Sequence, residues 1–98
     1  MQPIILFYME HCPYCEAARR ALDALYEKEP SYRTIPIEWV EENRARERAA
    51  RYDYYYVPSA FFGGQKLFEA RPGDGYARLY ALLEAALLYA LRSPSDGL

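Results

Sequence analysis

Both cysteines of this 98-residue chain fall within four consecutive residues, Cys12-Pro13-Tyr14-Cys15, and the segments on either side restrict what can surround them. The run from Pro3 to Tyr8 is apolar without alternation and rich in β-forming residues, which is typical of a strand buried on both faces. After the pair, apolar residues from Ala18 to Leu25 repeat with helical spacing, and Pro13 suits the first position of a helix. A strand, a short loop and a helix are therefore predicted, with the cysteines at the start of the helix.

Periodicity and turn residues predict five further elements after this helix, namely a strand over 34–39, a charged helix over 41–52, strands over 59–62 and 65–69, and a helix over 75–91. Pro36 indicates that the second strand lies at a sheet edge, and Gly63-Gly64 predicts a hairpin. The order βαβαββα predicts an α/β fold with a four-stranded mixed sheet flanked by helices. This fold is predicted to be a single domain over residues 1–92, and residues 93–98 are expected to be a frayed tail.

Composition excludes several classes of protein. The formal net charge is −2, so a nucleic-acid partner is not expected. No apolar stretch approaches the roughly 20 residues of a membrane span, and the amino-terminal residues are not expected to act as a signal peptide. Two cysteines that close so short a loop constrain the unfolded chain little, so a disulfide staple is not predicted. A reducing, cytoplasmic compartment is the expectation, and there a Cys-x-x-Cys usually serves redox or metal chemistry.

The predicted position of the cysteines gives each a separate chemical role. Cys12, at the first turn of a helix, lies beside free backbone N–H groups and the positive end of the helix dipole, which favour a thiolate. A thiolate attacks disulfides, so Cys12 is the predicted nucleophile. Cys15 is in the same helical turn, stiffened by Pro13, and is the predicted resolving thiol. His11 as an imidazolium would stabilise the thiolate, and the alternative is a solvated loop residue.

The segment from Phe7 to Cys15, with its Cys-Pro-Tyr-Cys, resembles the active-site strand and motif of a dithiol glutaredoxin. Val57-Pro58, followed by the segment from Phe61 to Leu67, resembles that family's Val-Pro, strand, Gly turn and strand. The resemblance implies a thioredoxin-like fold and disulfide oxidoreductase activity, with glutathione as a possible co-substrate. It also implies that Pro58 is cis and faces the cysteines, that the Val57 backbone pairs with a bound thiol peptide, and that Tyr14 lines the groove.

The chain departs from this family where glutathione is held. Met9 stands where a Lys is common, Tyr56 where Thr precedes Val-Pro, and Phe68-Glu69 where Gly-Gly is usual. Asp74 either stands in for the family's helix-start Asp, which contacts glutathione, or is a helix N-cap. Leu6 takes the place of the buried Asp of thioredoxins. The redox centre carries over, and weak activity with glutathione is expected.

The predicted function is the reduction of protein or low-molecular-weight disulfides, with glutathione or a thioredoxin reductase as electron donor and no bound cofactor or metal. One alternative is a dimeric metal or iron–sulfur carrier that uses Cys12 and Cys15. Another is a non-catalytic adaptor that binds through the Tyr-rich loop, residues 52–56, and the last helix. A second apolar stripe on that helix, which contains Tyr80, Leu87 and Leu91, predicts a homodimer contact.

Overall fold

The computed structural model describes residues 2–93 of the chain. In chain order the elements are β1 (Ile4–Tyr8), α1 (Pro13–Lys28), a 3-10 helix (Pro30–Thr34), β2 (Ile37–Glu41), α2 (Arg46–Ala49), β3 (Ser59–Phe62), β4 (Gln65–Glu69) and α3 (Tyr76–Arg92). No helix among these residues is long and apolar enough to cross a membrane. Apart from Ser93, the predicted frayed tail lies outside the described residues.

The four strands form one mixed sheet in the order β2-β1-β3-β4. β1 pairs parallel with β2, whereas the β1–β3 and β3–β4 pairs are antiparallel. The predicted four-stranded mixed sheet flanked by helices is therefore confirmed. Since β3 runs against β1, the start of β3 and the end of β4 lie at the same end of the sheet as the last residue of β1.

The position of β1 in the sheet follows from its apolar sequence. Ile4 and Leu6 belong to the main core with residues of α1 and α3, whereas Phe7 belongs to a smaller cluster with Val40 and Phe61. Leu6 and Phe7 are both fully buried, so the strand is covered on both faces, as predicted. Burial of each such side chain contributes about 1.5–3 kcal/mol.

Two predicted elements differ in the structure. The predicted strand over 34–39 is shifted, because residues up to Thr34 form a 3-10 helix and β2 begins directly after Pro36. The edge position of β2 is confirmed. The predicted helix over 41–52 was wrong in extent, since only the single turn of α2 is helical and it buries no residue. Ala45 and Ala49 are only partly buried against the cluster of Phe7, which is less packing than most helices of that length need.

The second half of the chain follows its prediction closely. β3 and β4 have the predicted bounds, and Gly63 and Gly64 connect them with φ of 60° and 81°. This left-handed backbone is what a two-residue hairpin turn requires. The prediction that Asp74 caps α3 was wrong, because Gly75 occupies the N-cap position. The Asp74 carboxylate instead accepts the N–H of Arg71 at 2.9 Å within the preceding loop.

The second apolar stripe of α3 is largely used within the chain. Leu87 is buried in the main core and Tyr80 packs partly against it, whereas Leu91 is exposed. Packing of α3 against α1 and the sheet therefore accounts for much of the apolar surface behind the predicted homodimer contact. The homodimer stays a prediction.

One polar contact links α3 to the segment after α1. The Tyr32 hydroxyl, in a residue only 4% exposed, donates to Glu84 Oε2 at 2.7 Å, and Lys28 Nζ donates to the same oxygen at 2.9 Å. Tyr32→Phe should lower the free energy of unfolding by about 1–2 kcal/mol, because a hydrogen bond to a charged acceptor is lost. Tyr26→Phe is the control, since this tyrosine is less buried and its ring packs against the Arg33 guanidinium. Urea unfolding measures both variants, and equal losses for the two would contradict the assignment.

Candidate active site

The cysteine pair lies at the end of the sheet where β1 ends. The loop of residues 9–12 leads from β1 to α1, and Cys12 is the N-cap of that helix. The peptide bond between Val57 and Pro58 precedes β3, whose start pairs with the end of β1 through Ser59 and Phe7. The topology therefore brings the two segments that the sequence singled out to one end of the sheet.

Cys12 is positioned by the first turn of α1. Its backbone is extended, with φ −99° and ψ 116°, and its carbonyl accepts the Glu16 N–H at 3.0 Å. Its Sγ accepts the N–H of Cys15 at 3.3 Å. The backbone N–H groups that the first helical turn leaves free therefore lie beside this sulfur. Cys12 is partly exposed, so a substrate can reach it.

Cys15 differs sharply from Cys12 in its surroundings. It is 5% exposed, and both thiols are free. Burial and, second to it, the side-chain hydrogen bond with Cys12 raise the pKa of the Cys15 thiol to about 12. At neutral pH Cys15 is therefore a protonated thiol. One turn of helix thus holds an accessible sulfur and a sheltered thiol within reach of each other.

The loop before Cys12 is held by a carboxylate that the sequence did not single out. Glu41, the last residue of β2, accepts the N–H of Glu10 at 3.0 Å on Oε2. Its Oε1 accepts the N–H groups of Asn43 and Arg44 at 2.6 and 3.2 Å. The hydrogen bond from Glu10 is the largest of the effects that lower the pKa of Glu41. The following His11 is exposed and has a φ of 61°, which is unusual for a residue with a side chain.

The Val57–Pro58 peptide bond is cis, which confirms the expectation from the family resemblance. Pro58 is fully buried, and Val57 packs against the cluster that contains Phe7. The Pro58 carbonyl accepts the N–H of Ala70 at 3.0 Å. The backbone at this position is therefore attached to the segment that follows β4.

Tyr14 and the loop before α3 are in direct contact. The Tyr14 hydroxyl accepts the Gly73 N–H at 3.1 Å, and the ring is half-buried rather than exposed. Gly73 has a φ of 94°, which glycine adopts without strain. Asp74 lies next in this loop, where its carboxylate accepts the backbone N–H of Arg71. The loop thus lies beside the tyrosine of the Cys-Pro-Tyr-Cys segment.

The tyrosines of residues 52–56 divide into two groups. The rings of Tyr52 and Tyr54 each lie 4.9 Å from the Phe7 ring, centroid to centroid, on the face of the sheet away from α1. Tyr55 and Tyr56 pack edge to face and remain exposed, Tyr55 to 83%. Only this second pair is exposed aromatic surface, directly before Val57 and Pro58 in the chain.

Tyr56 is bound by two further residues that the sequence reasoning missed. Glu69, the last residue of β4, accepts the N–H groups of Tyr55 and Tyr56, and the Ser59 hydroxyl donates to the Tyr56 carbonyl. The sequence held one signal for Glu69, because the family resemblance implies a glycine at this position and the chain has a carboxylate there.

Two clefts differ in their relation to the cysteines. One of about 100 Å³ is lined by Cys15, His11 and Trp39, over which the Arg19 guanidinium stacks at 4.0 Å. Another of about 1000 Å³ lies beside α2, and neither cysteine lines it. Within residues 2–93, no three His, Cys, Asp or Glu side chains are grouped to hold a metal ion.

Comparison with known proteins agrees with this geometry. The family model described as Glutaredoxin matches residues 4–67, which is more than half of the chain. The chain therefore belongs to the glutaredoxin family. A solved structure described as "Structure of a malarial protein" has a TM-score of 0.56 and 16% identity, over 83% of this chain and 91% of that one. At this identity the likeness shows the fold alone. The comparison with curated proteins finds no match.

Glu41 allows a test of how the loop before Cys12 is held. Its folded-state pKa is lowered from 4.5, so its stabilising effect is present above that pH and is lost as pH falls through the lowered value. In Glu41→Gln one of the two oxygens becomes an NH₂ group, which opposes a backbone N–H. We expect the variant to melt well below the wild type near pH 7, and the difference to shrink below pH 4.5.

The measurement is thermal unfolding from about pH 7 to about pH 3. Glu47→Gln, at an exposed position on α2, is the control and should show little difference at any pH. A melting difference for Glu41→Gln that stays constant across the range would contradict the assigned role.

Proposed function

We propose that this protein is a thiol-disulfide oxidoreductase in which Cys12 is the nucleophile and Cys15 the resolving thiol. The observation that carries the proposal is the contrast within one helical turn. Cys12 Sγ is accessible and accepts a backbone N–H, whereas Cys15 is buried and its pKa is raised to about 12. Membership of the glutaredoxin family supports the same assignment.

The reaction proceeds in two exchanges. The Cys12 thiolate attacks one sulfur of a substrate disulfide, the substrate S–S bond breaks, and the departing thiolate takes up a proton. The Cys15 sulfur then attacks Cys12 Sγ, the second substrate sulfur leaves as a thiolate, and it takes up the proton that Cys15 gives up. The substrate gains two electrons and two protons, and the enzyme holds a Cys12–Cys15 disulfide. An external dithiol or two thiols must then reduce it.

The other residues of the site support these exchanges. Pro13 opens the first turn of α1. His11 directly precedes Cys12 in the chain, and we propose that as an imidazolium it would stabilise the Cys12 thiolate. The Val57 backbone, ahead of the cis-Pro58, is proposed to pair with a substrate segment, with Tyr14 and Tyr56 on either side. Asp74 is a weaker candidate contact, because Arg71 already engages its carboxylate.

The proposed substrates are disulfides of proteins or small molecules in a reducing cytoplasm, and glutathione or a thioredoxin reductase is the proposed electron donor. Met9 supplies no cation for a glutathione carboxylate, and the Glu69 carboxylate adds negative charge near Tyr56. These features favour a protein substrate over glutathione. No observation among residues 2–93 favours the carrier or the adaptor alternative over this function.

Substitution of each cysteine tests the two roles. Cys12→Ser should lower the rate of disulfide reduction by at least about 100-fold, because the attacking sulfur is gone. Cys15→Ser should still attack and should accumulate a mixed disulfide with its substrate, because the resolving sulfur is gone. Mass spectrometry under non-reducing conditions measures the adduct. If Cys15→Ser formed no more adduct than Cys12→Ser, the assignment of roles would be wrong.

The electron donor is tested by two assays on the same protein. Turnover of a glutathione mixed disulfide should be weak compared with NADPH-coupled turnover through thioredoxin reductase. Met9→Lys supplies the missing cation and should raise the glutathione rate severalfold, with no effect on the second assay. Strong turnover of the glutathione substrate by the wild type would overturn the expectation.

A further inference from the structure

A single carboxylate oxygen holds two successive backbone groups of the loop before Pro58. Glu69 Oε2 accepts the N–H groups of Tyr55 and Tyr56, each at 2.7 Å. The other oxygen, Oε1, accepts from Lys66 Nζ at 2.7 Å. Charged acceptors make the shorter and stronger hydrogen bonds found in proteins, so this contact restrains the loop more than a neutral one would.

Glu69 remains ionised in this position. Partial burial raises the pKa of its carboxyl, but the hydrogen bonds from Lys66 and from the two backbone N–H groups outweigh that effect and hold the pKa at about 2. The carboxylate is therefore charged throughout the neutral range. The contact does not depend on pH under conditions where disulfide exchange takes place.

The same loop is held from the opposite side of the Tyr56 residue. The Ser59 hydroxyl, in a fully buried residue, donates to the Tyr56 carbonyl. Glu69 and Ser59 are paired residues on β4 and β3, so both groups project from one rung of the sheet. The N–H and the C=O of Tyr56 are both fixed, one residue before Val57.

We propose that Glu69 is a positioning residue that fixes the Tyr55–Pro58 loop, so that the Val57 backbone and the exposed Tyr55 side chain receive an extended peptide segment of a disulfide-containing protein. This inference rests on the proposed function and names its substrate class. Tyr55 is 83% exposed and its ring is braced edge to face by Tyr56. A rigid aromatic side chain with little entropy to lose is suited to contact a residue beside the substrate cysteine.

The proposal distinguishes substrates that have a peptide backbone from those that have none. Glu69→Gln should lower kcat/KM for the disulfides of insulin by about tenfold, mainly through KM, because a neutral amide oxygen holds the two N–H groups more weakly than a carboxylate does. Its rate with 5,5′-dithiobis(2-nitrobenzoate), a small disulfide without a backbone, should stay within about twofold of the wild type. Hydrogen exchange at the Tyr55 and Tyr56 amides should be faster in the variant.

Two further variants serve as controls, and a third is a second test of the loop. Lys66→Met removes the ammonium but leaves both N–H contacts of Glu69. Glu38→Gln neutralises a carboxylate of the opposite edge strand, β2, which binds Arg48. Neither should change insulin turnover by more than about twofold. Ser59→Ala releases the carbonyl side of the loop and should reproduce the selective loss, even if Glu69→Gln does not fold.

Each outcome has a definite reading. Equal losses with insulin and with the small disulfide, or no loss with either, would overturn the role of Glu69. Unchanged amide exchange in Glu69→Gln would overturn it independently of activity. If the wild type reduced neither substrate, the proposed function itself would fail, which the wild-type rates alone would show.

Discussion

Burial of β1 on both faces is the constraint on which the rest of the structure depends. Leu6 and Phe7 face opposite layers and neither is exposed to solvent, so the strand must lie inside the sheet with a partner on each side. Its parallel partner β2 and its antiparallel partner β3 then fix which chain segments meet where β1 ends. The cysteine loop, the segment before Pro58 and the end of β4 are neighbours for this reason, although they are distant in the sequence.

At that end of the sheet, the difference between the two sulfurs comes from where α1 begins. Cys12 lies just before the first helical residue, so its side chain can receive a free N–H, and Cys15 points inward from the first turn. Burial keeps the Cys15 thiol protonated, and it also shields this thiol from solvent and from reagents. A sheltered thiol in the same helical turn as an accessible one suits the resolving role proposed for Cys15.

Features set by neighbouring residues in the sequence were predictable, whereas features set by contacts between distant residues were not. The bounds of β3 and β4 followed from β-forming residues on either side of two glycines, and the start of α1 followed from Pro13. The 41–52 segment was mispredicted because Glu41, read as a helix-start acid, ends an edge strand and binds a loop 31 residues earlier. The sequence does not distinguish the tyrosines of residues 52–56 from one another. Some of them pack in the core and the others lie on the surface, because only some have rings that reach Phe7.

The two missed carboxylates have the same structural role. Glu41 ends one edge strand and accepts one backbone N–H from the loop after the neighbouring central strand, and Glu69 ends the other and accepts two from the loop before its neighbour. Loops at a sheet end have no ladder partner for those groups. A charged side chain at the end of an edge strand supplies the acceptor and leaves the loop backbone in one conformation. Both loops at this end of the sheet are therefore held from the edge strands, and under the proposed function a change at either edge strand would affect the site without altering a sulfur.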